Sequence, residues 1–478
     1  MPLILSGNVA SALPTGYDVD NSCRFNDGDS AYMNFTSVST VTNRLKFTIS
    51  LWVKRSALGA KSMIGTVGGD DTNFGAIWFD SSDRLNCTEG SGGGELNFIT
   101  NRVFRDISAW YNIILAIDTT QGTEGNRVKI YVNGTQETSF STATYPSQNS
   151  NMHLNRNGKV QYIGRHTDSS NDYYFDGYMA EVCWIDGSQE AATSFGEFDE
   201  DSPTIWKPID VSGLTFGNNG FYCDFADSGD LGDDESGNGN DWTENNLAAT
   251  DQMTDTPTNN FCTLNSLDSY WESSTFSEGN LKIVTESTDY SYNTSTIGLT
   301  AGKWYCEVYI ETTPHSSTKD SMIGIAGRMT EASQGYLGLY ADTYGIYGGN
   351  GNIYNDGSAS YGVSHTTGDI IGIYLDLDNN KLYFAKNGTI MNSGTGKSIT
   401  AASATTAGAY FMVAADFYNG LSGTYRMNFG NPIYSLSSAN TDANGYGSFE
   451  YDPSSGTFDG SSKDFYAICT KNLAEFGG

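Results

Sequence analysis

A chain of 478 residues has room for two to four domains, each with a full core. Its 25 basic against 56 acidic side chains give a formal net charge of −31 and a pI near 4.2, a surface that repels phosphate backbones and anionic lipid and so argues against nucleic acid as a partner. Charged residues make up only 17% and hydrophobic ones 38%, so the chain is not a disordered polyanion, and no apolar run reaches membrane-spanning length, so no membrane insertion is expected. With 55 Gly, 30 Tyr and 24 Phe, the composition is that of an all-β protein, in which aromatic strands are broken by Gly, Asn and Asp turns.

Residues 1–16 read as an N-terminal arm without a basic region or a long apolar run, so synthesis in a cytoplasm without export is expected. A first β-sandwich is expected over 17–208. Its strands include FTISLWVKR (47–55), with Phe47, Ile49, Leu51 and Val53 on one face. AWYNIILAIDTT (109–120) and NRVKIYVNGT (126–135) form a hairpin-like pair whose far end turns at Asn133-Gly134. YIGRH (162–166) and DGYMAEVCWIDG (176–187) complete the strand set.

From 209 to 261 Gly, Asn, Asp and Pro dominate, and the segment reads as an acidic connector, partly ordered by docking of Trp206, Phe221, Tyr222, Phe225 and Trp242 on neighbouring surfaces. Within it, DDESGNGND offers oxygens at Asp234, Ser236, Asn238 and Asn240 that suit a hard cation, making Ca2+ the one cofactor the sequence suggests. The spacing is not that of an EF-hand, and an Asx-turn is the competing reading of the same residues.

A second sandwich is expected over 262–435. In GKWYCEVYIE (302–311), Trp304, Cys306, Val308 and Ile310 alternate with Tyr305, Glu307 and Tyr309, which predicts a strand with one apolar and one mixed face. GDIIGIYLDLDNNKLYFAKNG (368–388) predicts a hairpin turning at Asp378-Asn379-Asn380. Between them lies a tyrosine-rich loop region, whose Tyr340, Tyr344, Tyr347, Asn352, Tyr354, Asn355 and Asp356 are the candidate ligand-binding residues. Tyr offers a flat apolar ring and a hydroxyl, suited to sugar rings and protein loops alike, although ordinary strand packing accounts for such residues equally well. A C-terminal extension, 436–478, follows, with an apolar stretch at 465–470 suited to a final strand or an anchored tail.

No catalytic residue is assigned. The four histidines lie in turn-like or polar contexts, and no strand carries the paired carboxylates of a glycoside hydrolase, so no enzymatic activity is expected. Seven cysteines without a C-x-x-C pair argue against a zinc site and a complete disulfide framework.

GKWY, GDIIG, the D-x-D-N turn and K-L-Y-F-x-K-N-G together resemble the SPRY domain, a concanavalin-like sandwich that binds partners through its loops. The F-T-I-S-L-W-V, W-Y-N-I-I-L-A-I-D, V-K-I-Y-V-N-G and F-D-G-Y-M-A-E-V segments resemble the laminin-G-like, concanavalin-type lectin fold. The combination, with D-T-P-T-N-N-F and a terminal A-I-C-T-K-N-L, resembles a recurrent virion protein of marine tailed bacteriophages. That resemblance implies a non-enzymatic tail or capsid fibre component, located in the virion and recognising a host surface glycan or protein. Its implied partners are other virion proteins, such as an adaptor or capsid and tail subunits, in a homo-oligomer such as a trimer. A purely architectural capsid-decorating protein is the alternative, and a glycan depolymerase the second.

Overall fold

The computed structural model describes residues 4–5, 16–37, 40–66, 74–90, 95–167, 171–270, 274–285, 290–329, 335–416 and 420–477. Most of the expected N-terminal arm therefore lies outside the described residues. The chain divides into two compact units, Pro14–Thr258 and Met1–Leu13 with Asn259–Gly478. Each contains one β-sandwich.

The first sandwich packs two eight-stranded sheets face to face. One has the order Phe140–Thr144, Leu96–Val103, Arg84–Glu89, Gly75–Phe79, Lys61–Thr66, Val160–Ile163, Tyr32–Thr36 and Thr243–Asn245. The other is centred on Trp110–Asp118, Lys46–Arg55 and Gly177–Asp186. Side chains alternate across each strand, and Phe47, Ile49, Leu51 and Val53 all enter the shared core with Ile113, Leu115, Ile77 and Phe98. At the expected Asn133-Gly134 turn both residues have positive φ, +47° and +72°, as a two-residue hairpin loop requires.

The segment expected to be a connector, 209–261, is instead mostly part of this first unit. Phe221–Cys223 pairs with Gly177–Asp186, Thr243–Asn245 with Tyr32–Thr36, and Gln252–Met253 with Ser22–Phe25. Gly and Asn prevent long strands here, but three-residue strands need only local extension, and burial of Phe221, Cys223, Phe225, Leu231 and Trp242 in the core holds them. The remainder of the segment roofs the outer face of the central sheet. Asp255 is fully buried and accepts hydrogen bonds from Lys54 Nζ at 2.6 Å and Trp110 Nε1 at 3.0 Å. Just ahead of this segment, Trp206 donates its indole N–H to Asn112 at 3.0 Å.

In the second sandwich a seven-stranded sheet runs from Leu264–Tyr270 through Phe411–Asp416, Ser321–Ala326 and Thr343–Tyr347 to Ser358–Ser360. The facing nine-stranded sheet is built on Thr424–Asn428, Lys303–Thr312, Ile370–Asp376 and Lys381–Lys386. The expected hairpin forms with Asp376 opposite Lys381.

Tyr305 and Glu307, expected on a mixed, half-buried face, are completely buried. The C-terminal extension covers them: Phe449, Phe458, Phe465 and Ala467 pack on Tyr305, Tyr374 and Tyr383. Tyr466–Ala467 adds a parallel strand beside Lys303–Thr312, and a short helix, Thr470–Phe476, follows. Glu307 fastens this layer. Its carboxylate accepts from the backbone N–H of Glu450 (3.0 Å) and Tyr451 (2.8 Å), from Tyr305 Oη (2.9 Å) and from Asn428 Nδ2 (3.1 Å). Burial raises its pKa, and the backbone N–H donors partly oppose that.

Candidate functional site

In each sandwich a later segment of the chain roofs one sheet, and the outer face of the other sheet holds the remaining candidate side chains; in the second unit that face is itself partly covered, with Met322, Ala326, Val413 and Ala415 buried in a cluster with Leu337. In the second unit that sheet carries most of the sequence-predicted tyrosines. Tyr347 lies opposite Met322 and Tyr354 opposite Gly345, which places both rings on the outer face. They are half-buried and meet edge to face at 5.8 Å, with Tyr336 against Tyr354 at 6.0 Å. Tyr347 Oη donates to Asp320 at 2.5 Å. Tyr340 is also half-buried, under the Arg328 guanidinium at 4.0 Å from its ring centre.

The other predicted residues divide. Tyr344 is not a surface residue: it is 2% exposed, on the opposite face from Tyr347, and its hydroxyl accepts from the Thr400 N–H at 2.9 Å. The period of two along the strand turns it inward. Asn355 is a turn latch, its amide donating to the carbonyls of Tyr340, Ala341 and Thr343. Asn352 is half-buried, while Asp356 is exposed at a positive-φ turn. What remains as a surface is Tyr336, Tyr340, Tyr347 and Tyr354 with Asn352 at the border.

The proposed calcium ligands are brought together, but as a hydrogen-bonded turn. Asp234 Oδ1 accepts from the N–H of Tyr222 and of Ser236, both at 2.9 Å, and Oδ2 accepts from Ser236 Oγ and the Asn240 N–H, both at 2.8 Å. Asn238 and Asn240 both turn their amide N–H groups to the carbonyl of Gly220. This is the Asx-turn alternative in detail. Among the described residues no group of three or more His, Cys, Asp or Glu is placed to hold a metal ion.

The first unit's other sheet carries a face that sequence reading missed, and part of it is buried, Ala76 and Ser62 fully. Cross-strand register aligns Thr144, Asn97, Thr88, Ala76, Gly65, Tyr162, Asn34 and Thr243 in one outward row. A second row holds Thr142, Ile99, Asn86, Trp78 and Ser62. The hairpin of Arg165–Thr167 and Asp172–Tyr174 folds over this face, where His166 approaches so closely that a Cβ on Gly65 would lie 2.4 Å from its own Cβ. His166 stacks on Tyr173 at 4.6 Å and meets Trp78 and Phe74 edge-on at 5.3 and 5.2 Å. The signal was present as outward Asn and Thr in alternating strands, but only the register joins residues from strands far apart in sequence.

Buried titratable groups lie apart from these faces. Glu181 sits at a β-bulge with φ +51°, accepts from Tyr222 Oη at 2.8 Å, and has its pKa pushed up to about 7 by burial, against the Tyr222 hydrogen bond and with added repulsion from Asp224. His365 is fully buried, both ring nitrogens lack partners, and burial lowers its pKa to about 4.

Residues 27–192 match the family model of the concanavalin A-like lectin/glucanase superfamily, and residues 303–430 match that of the SPRY domain. The chain thus joins a concanavalin-like domain to a SPRY domain. No curated protein matches it. Among solved structures, it is similar to the SPRY domain of human HERC1, at 18% identity over 34% of this chain and 96% of that one, with a TM-score of 0.28. A provisionally assigned carbohydrate-binding protein from Bacteroides ovatus matches at 16% identity over 48% of this chain and 59% of its own, TM-score 0.32. A SAP-like pentraxin from Limulus polyphemus matches at 12% identity over 37% and 81%, TM-score 0.27. No described helix is long and apolar enough to cross a membrane.

Proposed function

We propose that this protein is a non-enzymatic binding component of a tailed-bacteriophage particle, displayed on a tail or capsid fibre and recognising a host surface glycan or protein. The observation that carries the binding reading is a half-buried aromatic cluster on the outer side of one sheet in each sandwich, Tyr336, Tyr347 and Tyr354 in one and Phe74, Trp78 and Tyr173 in the other. Rigid aromatic rings on a sheet give contact area at little entropic cost. A lectin-type domain beside a SPRY domain supports the same reading. The phage assignment rests on the motif order across the chain. Repetition on a multimeric particle supplies avidity to individually weak faces.

Antibodies against the purified protein are expected to label the phage particle in electron micrographs, and the protein added in excess is expected to slow adsorption to susceptible cells. Labelling of the capsid lattice without any effect on adsorption supports the architectural alternative. Absence from the particle removes the phage reading altogether.

A further inference from the structure

In the second unit the turn that follows Ser358–Ser360 and the far end of the Lys381–Lys386 hairpin leave between them a groove of about 490 Å³. Its lining residues all fall within the continuous described stretch 335–416, and it shares none of them with the tyrosine face of the same unit. One wall carries Tyr361 and Val363, the other Ile390 and Met391, and Asn392 and Ser393 stand exposed at the rim. The walls touch at Gly362, where a Cβ would lie 2.3 Å from Met391 Sδ, so only glycine lets them meet.

Val363, at 56%, is the most exposed of the large hydrophobic side chains among the described residues. The turn that presents it is nevertheless fixed: the Gly362 N–H donates to the Gly351 carbonyl at 2.8 Å, the His365 N–H to that of Gly348 at 2.9 Å, and Lys386 Nζ to that of Ser364 at 3.0 Å. Across the groove, Asn392 and Ser393 are consecutive non-glycine residues at φ +52°, a left-handed conformation that costs energy. Hydrogen bonds from the Thr395 N–H to the Asn392 carbonyl at 3.0 Å and from the Asp459 N–H to that of Gly394 at 2.8 Å hold them there. Walls fixed in advance lower the ordering cost of binding.

The chemistry of the lining selects the occupant. Its one charged residue, Lys386, is matched by Asp369 at 2.9 Å, so no free charge is offered to an ionic ligand. Tyr361 spends its hydroxyl on the Leu382 carbonyl at 3.3 Å, which leaves rings, branched aliphatic groups and the Met391 thioether as the apolar surface. A polarizable sulfur beside flat and branched neighbours suits an aromatic ring, and Asn392 and Ser393 suit a polar substituent at the rim. The volume lies within the roughly 300–1,000 Å³ of small-molecule sites and exceeds what one inserted side chain fills.

We propose that this groove binds an uncharged small molecule with a fused aromatic ring system, its rings between Val363 and Met391 and its polar substituent at Asn392 and Ser393. The site goes beyond the binding reading above and stands or falls separately from it.

The test is a fluorescence titration of the full chain with N-phenyl-1-naphthylamine, a neutral probe, against 8-anilinonaphthalene-1-sulfonate, its anionic counterpart. Saturable binding of the neutral probe at a single site per chain is expected, with the anionic probe weaker by about tenfold or more. Naphthalene-2-methanol is expected to displace the neutral probe, and 1-octanol at the same concentration to leave it bound. Val363→Asp puts a charge on the exposed wall and is expected to raise the dissociation constant about tenfold or more, with circular dichroism unchanged. Leu421→Ser, at another exposed position of the same unit, is expected to change nothing. The inference is overturned by absence of saturable binding of the neutral probe, by equal affinity for the anionic one, by equal displacement with octanol, or by unaltered affinity in Val363→Asp. Self-association that Val363→Asp abolishes, without probe binding, would assign the groove to a second copy of the chain and overturn the inference equally. None of these results bears on whether the protein blocks adsorption of the phage, so the function proposed above is tested apart.

Discussion

Both sandwiches are roofed by the segment of chain that follows them, yet the two roofs are fastened by opposite arrangements. In the first unit the carboxylate belongs to the roof: Asp255 descends onto the sheet and meets a buried cation, Lys54, and the Trp110 indole. In the second the carboxylate belongs to the sheet: Glu307 points outward and the roof brings backbone N–H groups of Glu450 and Tyr451 to it. The first is an ion pair whose partners are 1% and 0% exposed; the second has hydrogen bonds from neutral groups. Breaking a buried ion pair strands a charge, whereas removing a carboxylate acceptor from among neutral donors strands only dipoles. The difference predicts unequal consequences.

Lys54→Met is the harshest way to probe it. Leaving Asp255 buried without its cation is expected to lower stability by about 3–5 kcal/mol, read as a shift in the urea midpoint at constant slope. Adding Asp255→Leu to Lys54→Met is expected to recover a large part of the loss, because no charge then remains buried. If the single and double variants lose equal stability, the clamp works by packing and the contrast between the roofs fails.

Glu307→Gln comes next, at about 1–3 kcal/mol, since the amide keeps one acceptor oxygen and presents its NH2 to donors. The second roof is expected to loosen locally, so limited proteolysis should cut within 436–478 before the sandwich itself. Cleavage first within 209–258 would break the assignment of Glu307 to the C-terminal layer.

These two clamps show what sequence makes legible. Period-two alternation correctly placed Phe47, Ile49, Leu51 and Val53 inside the first core, with the Asn133-Gly134 and Asp378-Asn379-Asn380 turns where hairpins need them. Alternation also made Lys54 and Glu307 look like outward-facing groups, which they are; what it cannot show is that another segment covers that face. The roofs are Gly- and Asn-rich, with isolated aromatics in place of periodic strands, so the period-based signal vanishes where the packing is most consequential. The same limit applies to the faces. Tyr347 and Tyr354 were found because they are close in sequence, whereas Trp78, Thr88 and Asn97 meet through strand register alone.

Acid and base titrations sharpen the comparison further. Glu181, in the first unit, has its pKa raised from 4.5 to about 7, so the folded state binds a proton that the unfolded state has lost. Its contribution is full below pH 4.5 and declines as pH rises to about 7. His365, in the second unit, is lowered from 6.5 to about 4, so its contribution is full above pH 6.5 and declines as pH falls towards 4. Between these limits the two groups give slopes of opposite sign. Glu181→Gln is expected to make stability rise more steeply with pH from 5 to 6.5, and His365→Phe to make it fall more steeply, in denaturant titrations at each half pH unit. A change in the same direction for both variants would contradict the opposed signs.

The smallest expected effect concerns the loop around Asp234, and its value lies in being null. A calcium ion takes six to eight oxygens at about 2.3–2.6 Å, most of them with free lone pairs turned to a common centre. Asp234 already accepts four hydrogen bonds, three from backbone N–H groups and one from Ser236 Oγ. To coordinate, it would have to release donors that also position Tyr222, the residue opposite Cys183 in the roof's own strand. The loop thus belongs to the fastening of the first unit, in series with Asp255, and millimolar calcium chloride is expected to leave its melting temperature unchanged within about 1 °C. Asp234→Ala, by contrast, is expected to cost about 1–3 kcal/mol, because buried N–H groups lose their acceptor. A calcium-dependent rise in melting temperature that disappears in Asp234→Ala would show that the carboxylate is a ligand after all, and that the first roof is fastened by metal as well as by charge.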